Sequence, residues 1–296
     1  EKNVLAFRKL RQKRTSFFLW QGMLRFYTLP PSTRPWPYLM VPITFRGELF
    51  RRSFEHAILD SGVEIFHTAV DYPPNFKTRW LSIAYWTDER TKGKTWITVP
   101  DYPDDYSPGL TGNNVARTLE NIKWFMGKDD SLPWLPVLQA KYLNPFSFFE
   151  SCQRTKELLG DYPRVAIGTV CKTRKLDFIE YCCKVARTFF PRSQIHAFGL
   201  TLGAIPKVKD IIDSFDSQAY NFSGQPFVTK TGLKWRVTSG RGKKAEPFFD
   251  RYMQKLQKRL IWVRYWWELR TKAFFILRRR KKREQLQPRS YWFWWW

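Results

Sequence analysis

The stretch Arg164-Val165-Ala166-Ile167-Gly168, followed by a helical pattern over Leu176–Phe190, indicates how this chain folds. A short apolar run that ends at a turn residue is typical of a buried strand, and the spacing that follows is typical of an amphipathic helix. Similar apolar runs lie at His56-Ala57-Ile58-Leu59-Asp60, Thr95-Trp96-Ile97-Thr98-Val99-Pro100-Asp101, Leu135-Pro136-Val137-Leu138-Gln139, Ile195-His196-Ala197-Phe198-Gly199 and Ser214-Phe215-Asp216. Further helical patterns lie near Val115–Met126, Phe146–Leu159 and Pro206–Ile212.

Strands that alternate with helices predict a parallel sheet. We expect an α/β protein built on a (β/α)8 TIM-like barrel, with an open, doubly wound sheet as the alternative. No GxGxxG or GxxxxGK[ST] motif follows a strand, which disfavours the open nucleotide-binding sheets. The predicted organisation is a basic, aromatic-rich N-terminal extension over 1–37, the barrel over 38–240, and a basic, aromatic-rich helical C-terminal extension over 241–296.

The charge of the chain is strongly positive and unevenly distributed. Its 296 residues include 51 Lys and Arg against 26 Asp and Glu, a formal net charge of +25. The excess lies at both ends, most clearly in the run Arg278, Arg279, Arg280, Lys281, Lys282 and Arg283. Because a protein that neutralises phosphates releases their counterions, this run predicts nucleic-acid binding, to DNA or to tRNA. Aromatic side chains near the cations favour this interpretation, since they can stack on bases. A solvated basic tail is the alternative.

The remaining composition limits the class of protein. No apolar run approaches the roughly 20 residues that a membrane-spanning helix needs, which excludes that class. The four cysteines form no paired CxxC clusters, so we expect a reducing compartment, the cytoplasm or an organelle stroma or matrix. The segment Arg251–Arg283 predicts a long helix that packs against the body or a partner, with attachment to a membrane surface as the alternative. The terminal Tyr291-Trp292-Phe293-Trp294-Trp295-Trp296 predicts burial in a protein assembly.

Polar side chains follow several of the predicted strands. In a barrel, the C-terminal ends of the strands meet at one face, where the chemistry lies. The residues at those ends are Asp60, Asp101, Gln139, Gly168 and Asp216. A single aspartate after a strand is commonly a turn former or a helix cap. Three carboxylates together fit cleavage of an N-glycosidic bond, because a carboxylate can stabilise or covalently capture an oxocarbenium-like transition state.

Other kinds of site are disfavoured. The histidines His56, His67 and His196 are separated from one another and from any pair of cysteines, so no metal site is expected. We interpret His196, inside an apolar strand, as a core residue with satisfied hydrogen bonds. No GxSxG motif occurs, which disfavours Ser-His-Asp hydrolysis.

Several of these segments resemble the tRNA-guanine transglycosylases and their deazapurine DNA-modifying relatives, over roughly 57–222. The segments are Leu59-Asp60-Ser61-Gly62, Val99-Pro100-Asp101, Leu138-Gln139, Ala166-Ile167-Gly168-Thr169 and Ser214-Phe215-Asp216-Ser217. Three phrases are most similar to the DNA-modifying branch: Gly168-Thr169-Val170-Cys171, Ile195-His196-Ala197-Phe198-Gly199 and Asp213-Ser214-Phe215-Asp216-Ser217. The order and spacing of the segments, rather than any one motif, carry the resemblance.

The resemblance implies a base exchange on a (β/α)8 barrel. Asp216 is implied to be the nucleophile that forms a covalent bond to C1′ of a guanosine, and Asp60 to assist by taking a proton. The residues implied to bind the base are Asp101, Gln139, Gly168 and Thr169. A 7-deazaguanine such as preQ0 or preQ1 is the implied co-substrate, and no nicotinamide, ATP or redox cofactor is implied.

Two features depart from the family. The zinc site CxCxxC…H that follows the nucleophile is missing, because no cysteine follows Cys183. Lys172 lies near the position where bacterial members carry a glutamate, so the base preference does not transfer. Two hypotheses follow. The first is a transglycosylase that exchanges guanine in nucleic acid for a 7-deazaguanine. The second is a catalytically inactive barrel that serves as a nucleic-acid-binding component of a larger assembly.

Overall fold

The protein is represented by a computed structural model that describes residues 24–31, 35–63, 66, 71–104, 113–171, 173–217 and 246–260, and the backbone of 222–229 and 232–237. Its strands are β1 (Arg25–Tyr27), β2 (Tyr38–Pro42), β3 (His56–Asp60), β4 (Thr95–Thr98), β5 (Trp134–Leu135), β6 (Val137–Leu138), β7 (Arg164–Ile167), β8 (Gln194–Ala197), β9 (Ser214–Asp216), β10 (Phe222–Thr229) and β11 (Gly232–Val237). Its helices are α1 (Glu48–Arg51), α2 (Phe76–Thr91), α3 (Asn114–Lys128), α4 (Pro145–Leu159), α5 (Leu176–Phe189), α6 (Ile205–Val208) and α7 (246–260).

The first nine strands form two parallel sheets. One has five strands in the order β1-β9-β8-β7-β6, and the other has four in the order β2-β3-β4-β5. Every pairing within these two sheets is parallel, whereas β10 and β11 form a separate antiparallel pair. The predicted α/β class with parallel strands is therefore confirmed.

Contacts join the two sheets at two places. Strands β5 and β6 follow each other with only Pro136 between them. The Leu135 carbonyl accepts a hydrogen bond from the N–H of Val99, which follows β4 of the four-stranded sheet (3.0 Å). The Pro136 carbonyl accepts one from the N–H of Ala166 in β7 of the five-stranded sheet (2.8 Å). Next to β1, the Thr28 N–H donates to Tyr38 (3.2 Å), and the Thr28 carbonyl accepts from Met40 next to it in β2 (3.1 Å). The strand pairings themselves remain two sheets, and closure into one barrel stays a prediction.

Strand β1 lies inside the range 1–37, which the sequence predicts to be an extension. Phe26 and Tyr27 are fully buried, and β1 pairs with β9 over its whole length. The Phe26 ring stacks on Phe215 at a centroid distance of 5.1 Å, and Trp36 donates its indole N–H to the Phe26 carbonyl (2.9 Å). The parallel sheet thus begins before residue 38.

Helix α7 is the described part of the range 241–296. Its Phe249, Tyr252 and Leu256 are buried in the same core cluster as Phe26. The Tyr252 ring stacks on Phe26 at 5.6 Å, so this helix packs against the five-stranded sheet. Residues 261–296, with the basic run from Arg278 to Arg283 and the Trp-rich end, lie outside the described residues. None of the described helices is both long enough and apolar enough to cross a membrane.

Candidate active site

The strand order positions the predicted site residues at the C-terminal ends of strands. Asp60 ends β3 and Asp216 ends β9. Asp101, Gln139 and Gly168 follow β4, β6 and β7 within three residues. Because the strands in each sheet are parallel, their C-terminal ends lie at one edge, where the loops carry these side chains.

Asp101 and Gln139 are in direct contact, although they follow strands of different sheets. The Gln139 Nε2 donates to Asp101 Oδ2 at 2.5 Å, and the two residues are 2% and 5% exposed. The other amide atom, Gln139 Oε1, is buried and has no hydrogen-bond partner among the described residues. Buried polar atoms are nearly always satisfied, so an acceptor left over beside a carboxylate is a place for a ligand N–H.

Gly168 lies against the amide of Gln139. A Cβ atom at this position would collide with Gln139 Nε2 and come within 2.8 Å of Val137 Cγ1. The Gly168 N–H donates to the Leu138 carbonyl at 3.0 Å, which continues the pairing of β7 with β6. A glycine is required here because the backbone packs directly on the Gln139 amide. Thr169, which follows it, is buried at 6% exposure.

The carboxylate of Asp216 is held through one of its two oxygens. Its Oδ1 accepts the backbone N–H of Gly199 (2.8 Å) and lies 3.3 Å from His196 Nε2. No described residue forms a hydrogen bond to Oδ2, and the side chain is 9% exposed. Gly199 has φ +56°, a left-handed conformation that favours glycine and aims its N–H at the carboxylate. The arrangement fixes the carboxylate through Oδ1 and leaves Oδ2 without a hydrogen bond from the described residues.

His196 connects Asp216 to the next strand. It is fully buried, and its Nδ1 lies 3.0 Å from the Ser214 hydroxyl. Burial lowers the pKa of His196, and its hydrogen bond to the Asp216 carboxylate partly opposes that shift. The contacts fit a neutral imidazole whose Nε2–H donates to Asp216 and whose Nδ1 accepts from Ser214; this tautomer is inferred from the partners. The sequence interpretation of a satisfied core histidine agrees with this geometry, but it missed the contact with Asp216.

Tyr72 lies between the loops that carry Asp60 and Asp101. Its hydroxyl donates to the Asp101 carbonyl at 3.0 Å and lies 3.4 Å from the Ser61 hydroxyl. Burial raises the pKa of Tyr72 well above its usual value, and the negative charges of Asp101 and Asp60 raise it further. The negative charges of both carboxylates therefore act on the Tyr72 hydroxyl. No sequence motif marks it, because it comes from a loop between β3 and α2.

Metal-ligating side chains and cysteine thiols were compared over the same described residues. Across the part of the chain that the structure describes, no three His, Cys, Asp or Glu side chains are grouped to hold a metal ion. The thiols of Cys152, Cys182 and Cys183 are buried. Burial raises the pKa of each of them, for Cys183 to about 12, which disfavours the reactive thiolate. Lys172 lies outside the described residues.

A surface pocket of about 530 Å³ lies between the N-terminal parts of α2 and α3. Its walls include Asp71, Tyr102 and Arg117, and none of the predicted site residues. The Arg117 guanidinium lies 3.7 Å from the centroid of the Tyr102 ring and forms an ion pair with Asp71 (2.7 Å). These groups therefore satisfy one another within the pocket.

Comparisons with known proteins give little further guidance. No protein-family model matches the chain, and no curated protein matches it. Among solved structures, a psychrophilic glycoside hydrolase family 10 endo-beta-1,4-xylanase is similar at 13% identity, over 59% of this chain, with a TM-score of 0.33. The chain spans 65% of the length of that xylanase chain. At this TM-score the likeness carries no conclusion about fold or function.

Proposed function

We propose that the protein is a transglycosylase that exchanges guanine in nucleic acid for a 7-deazaguanine. The observation that carries this proposal is the buried Asp101–Gln139 pair with its unsatisfied Gln139 Oε1, together with the half-engaged carboxylate of Asp216 at the C-terminal end of β9. The Asp101–Gln139 pair suits the edge of a planar base, and the Asp216 carboxylate suits the sugar carbon to which that base is bonded.

The base-binding part of the proposal rests on the complementarity of donors and acceptors. The edge of guanine that carries its N1–H and exocyclic amino group presents only donors apart from the neighbouring O6. Gln139 Oε1 and the Asp101 carboxylate offer acceptors of the matching kind at a buried position. A purine that supplies these hydrogen bonds relieves the cost of the unsatisfied amide oxygen, about 1–3 kcal/mol for a buried polar group.

The first chemical step is assigned to Asp216. Its free Oδ2 attacks C1′ of the target nucleotide, the C1′–N9 bond breaks, and the electron pair leaves with guanine, which takes up a proton. The product is an ester between Asp216 and the sugar. The donors from Gly199 and His196 hold Oδ1, so the attacking oxygen is oriented before the substrate arrives.

The second step reverses the first with a different base. A 7-deazaguanine gives up its N9 proton, for which Asp60 is the proposed acceptor, and its nitrogen attacks C1′. The ester bond breaks, and the Asp216 carboxylate is restored. The Tyr72 hydroxyl supports this assignment, because it contacts both the Asp101 carbonyl (3.0 Å) and the hydroxyl of Ser61, the residue after Asp60 (3.4 Å).

A closed (β/α)8 barrel is part of the same proposal. The passage of the chain through Pro136 and the hydrogen bonds at Thr28 support closure, because each joins an edge of one sheet to an edge of the other. Counting β5 and β6 as one interrupted strand gives eight parallel strands. A closed ring would turn Asp60, Asp101, Gln139 and Asp216 towards one central opening.

The polymer partner is proposed from charge and chemistry together. A base must leave its stack to enter a buried site, at a cost of a few kcal/mol. The formal charge of +25 supports binding of the flanking phosphates, which can offset that cost. Both DNA and tRNA fit these requirements.

Incorporation of labelled guanine into DNA or tRNA tests the proposed function. We expect the wild type to incorporate label and to form a covalent protein–nucleic acid adduct under denaturing conditions. Asp216→Asn should lose both signals by at least 100-fold, because the amide is a poor nucleophile. The matched control is Asp210→Asn, a change at an exposed aspartate whose ion pair among the described residues is with Lys209.

The control should retain wild-type incorporation. Absence of incorporation on both polymers, with Asp216→Asn indistinguishable from the wild type, would reject the enzymatic proposal. That result would favour an inactive nucleic-acid-binding component of an assembly.

A further inference from the structure

The loop between β6 and α4 and the first turn of α4 together present two aromatic rings to solvent beside the candidate site. Tyr142 is 56% exposed and Phe146 is 83% exposed. Neither ring stacks on another ring among the described residues. We propose that this pair, the aromatic rim, stacks on unpaired bases of a nucleic acid that flank the nucleotide at the active site. The inference rests on the proposed function and names how its polymer substrate is held.

The position of the rim follows from the chain. Gln139 opens the loop, and Tyr142 follows it by three residues, at the end of the sheet where the strands finish. Phe146 is the second residue of α4, so it lies at the end of that helix nearest the loop. The rim is therefore continuous with the base-binding pair, and a strand whose target base entered the site would pass over it.

The loop is rigid enough to present the rings in a fixed arrangement. The Tyr142 N–H donates to Asp104 Oδ2 (2.9 Å), and the Lys141 N–H donates to the Ser147 hydroxyl (3.0 Å). The Asn144 side chain caps α4 by accepting from the Ser147 N–H at 2.9 Å. These hydrogen bonds fix the backbone while both rings remain outside the core. A preorganised ring loses less conformational entropy when a base stacks on it.

The charge around the rim suits a polyanion. Lys141 lies beside Tyr142, and Arg174 and Lys175 are exposed in the loop after β7, the strand that pairs with β6. None of these three cations forms an ion pair with a carboxylate of the described residues. Aromatic rings among uncompensated cations are the usual arrangement for single strands, in which rings hold the bases and cations hold the phosphates. The same rings on an apolar partner would leave the cations without partners.

Fluorescence anisotropy with a labelled single-stranded oligonucleotide and its duplex, over a series of salt concentrations, tests this inference. Tyr142→Ala and Phe146→Leu should each weaken single-strand binding by on the order of 10-fold. The slope of log affinity against log salt should not change, because no phosphate contact is removed. Lys141→Ala should instead reduce that slope by about 1.

Leu158→Ala is the matched control. Leu158 is 40% exposed and lies near the other end of α4, about 18 Å along the helix from Phe146. It should bind like the wild type. The inference would be overturned if both rim variants bound with wild-type affinity, or if the control lost as much affinity as they do. It would also be overturned if the wild type bound anionic lipid vesicles but neither oligonucleotide.

The guanine-incorporation assay, run on the same preparations, separates this inference from the proposed function. Incorporation that proceeds while the rim variants bind normally rejects the rim alone. If the wild type incorporates no guanine but the rim variants still bind nucleic acid more weakly than the wild type, the enzymatic proposal is rejected. The aromatic rim is then retained as a nucleic-acid contact.

Discussion

Two buried side chains at the candidate site use one polar atom inside the protein and leave its twin unused. Gln139 donates through Nε2 while Oε1 has no partner among the described residues, and Asp216 accepts through Oδ1 while Oδ2 has none. A fully satisfied network would be expected if these residues served only to stabilise the interior. The missing hydrogen bond at the buried Gln139 Oε1 costs stability, which is understandable if a ligand supplies it.

Gly168→Ala tests the packing on which the Gln139 amide depends. The added methyl group would collide with Gln139 Nε2 and Val137 Cγ1, so the amide must turn away from Asp101. We expect the free energy of unfolding to fall by about 1–3 kcal/mol, and guanine incorporation to fall more than in proportion to folded protein. Chemical denaturation and the incorporation assay measure the two effects. A variant with wild-type stability and activity would contradict this geometry.

Gly127→Ala is the control for that substitution. Gly127 lies in the last turn of α3, and a Cβ atom there would meet nothing within 4 Å. Alanine favours helix over glycine by about 1 kcal/mol or less near a helix end. The control should therefore be as stable as the wild type or slightly more so.

The fully buried His196 and the half-buried His56 make the stability depend on pH. Burial, reinforced by the charges of Arg25 and Arg164, lowers the pKa of His56 to about 3, and burial also lowers that of His196. Below about pH 6.5 the unfolded chain binds protons that the native protein does not. The free energy of unfolding should therefore decrease as the pH falls below 6.5, by up to about 1.4 kcal/mol per pH unit for each histidine.

The variant His56→Gln isolates one of these contributions. Gln can still accept the hydrogen bond that Tyr27 makes to His56 Nδ1 at 2.9 Å. Between pH 5.5 and 4 we expect the free energy of unfolding of the variant to fall less steeply than that of the wild type. The difference between the two slopes should be about 1.4 kcal/mol per pH unit. Urea denaturation at a series of pH values measures the slope. Identical slopes would show that His56 is protonated in the native protein.

At the scale of elements, the sequence predicts those whose signals are local. Helix α4 has Asn144 as its cap, Pro145 at its first turn and a separate apolar face, and it was predicted within one residue. Helix α2 was not predicted, because its buried face includes Thr87 and Thr91, which look polar in the sequence. The Thr91 hydroxyl is satisfied by the Thr87 carbonyl within the helix (2.8 Å), so burial is possible without an apolar side chain.

Long-range partners explain the other omissions. Strand β1 has three residues and begins with Arg25, so nothing near it in sequence marks it as buried. At the site, the strand-end aspartates were predicted because each follows an apolar run. The contact of His196 with Asp216 was not predicted, because it depends on the register that sets His196 opposite Ser214 in the neighbouring strand. Register is a property of the folded sheet rather than of either segment.

Arg187 at the end of α5 tests how a helix is fastened to the sheet. Its guanidinium donates to the Asp213 carboxylate (2.7 Å) and to the carbonyls of Ile211 (2.9 Å) and Ser193 (2.8 Å). Arg187→Ala removes these donors from both carbonyls and leaves Asp213 Oδ2 with the Ile195 N–H (2.8 Å), so it should lower the free energy of unfolding by about 2–4 kcal/mol. Lysine has no planar fork to reach them together, so Arg187→Lys should recover less than half of that loss.

Thermal denaturation compares these variants with Arg192→Ala. Arg192 also forms an ion pair, with Asp161, but its side chain is 80% exposed. An exposed pair contributes about 0–1 kcal/mol, so this control should unfold close to the wild-type temperature. An equal effect at both arginines would mean that the carbonyl contacts of Arg187 add nothing.

At the scale of the whole molecule, distant parts of the chain share one core. The Phe26 ring contacts Trp36 (5.9 Å), Phe215 (5.1 Å) and Tyr252 (5.6 Å), which lie before β2, in β9 and in α7. The folded body therefore includes residues on both sides of the predicted barrel range of 38–240.

Phe26→Ala measures how strongly these parts are coupled. Truncation of a fully buried phenylalanine should lower the free energy of unfolding by about 3–5 kcal/mol. Tyr142→Ala is the control, because that ring is 56% exposed and its loss should change stability by about 0.5 kcal/mol or less. Urea denaturation followed by intrinsic fluorescence reports both. A loss below 1 kcal/mol for Phe26→Ala would show that β1 is dispensable to the core.

The two backbone hydrogen bonds at Thr28 have a consequence for how the protein opens. The edges of β1 and β2 are joined by backbone hydrogen bonds at a single residue, and local unfolding begins where the fewest hydrogen bonds must break. Deuterium should therefore replace the amide protons of Thr28 and Met40 sooner than those in the middle of β7 and β8. Local opening here would separate Thr28 from Tyr38. Thr28 directly follows β1, and β1 pairs with β9, the strand that ends at Asp216.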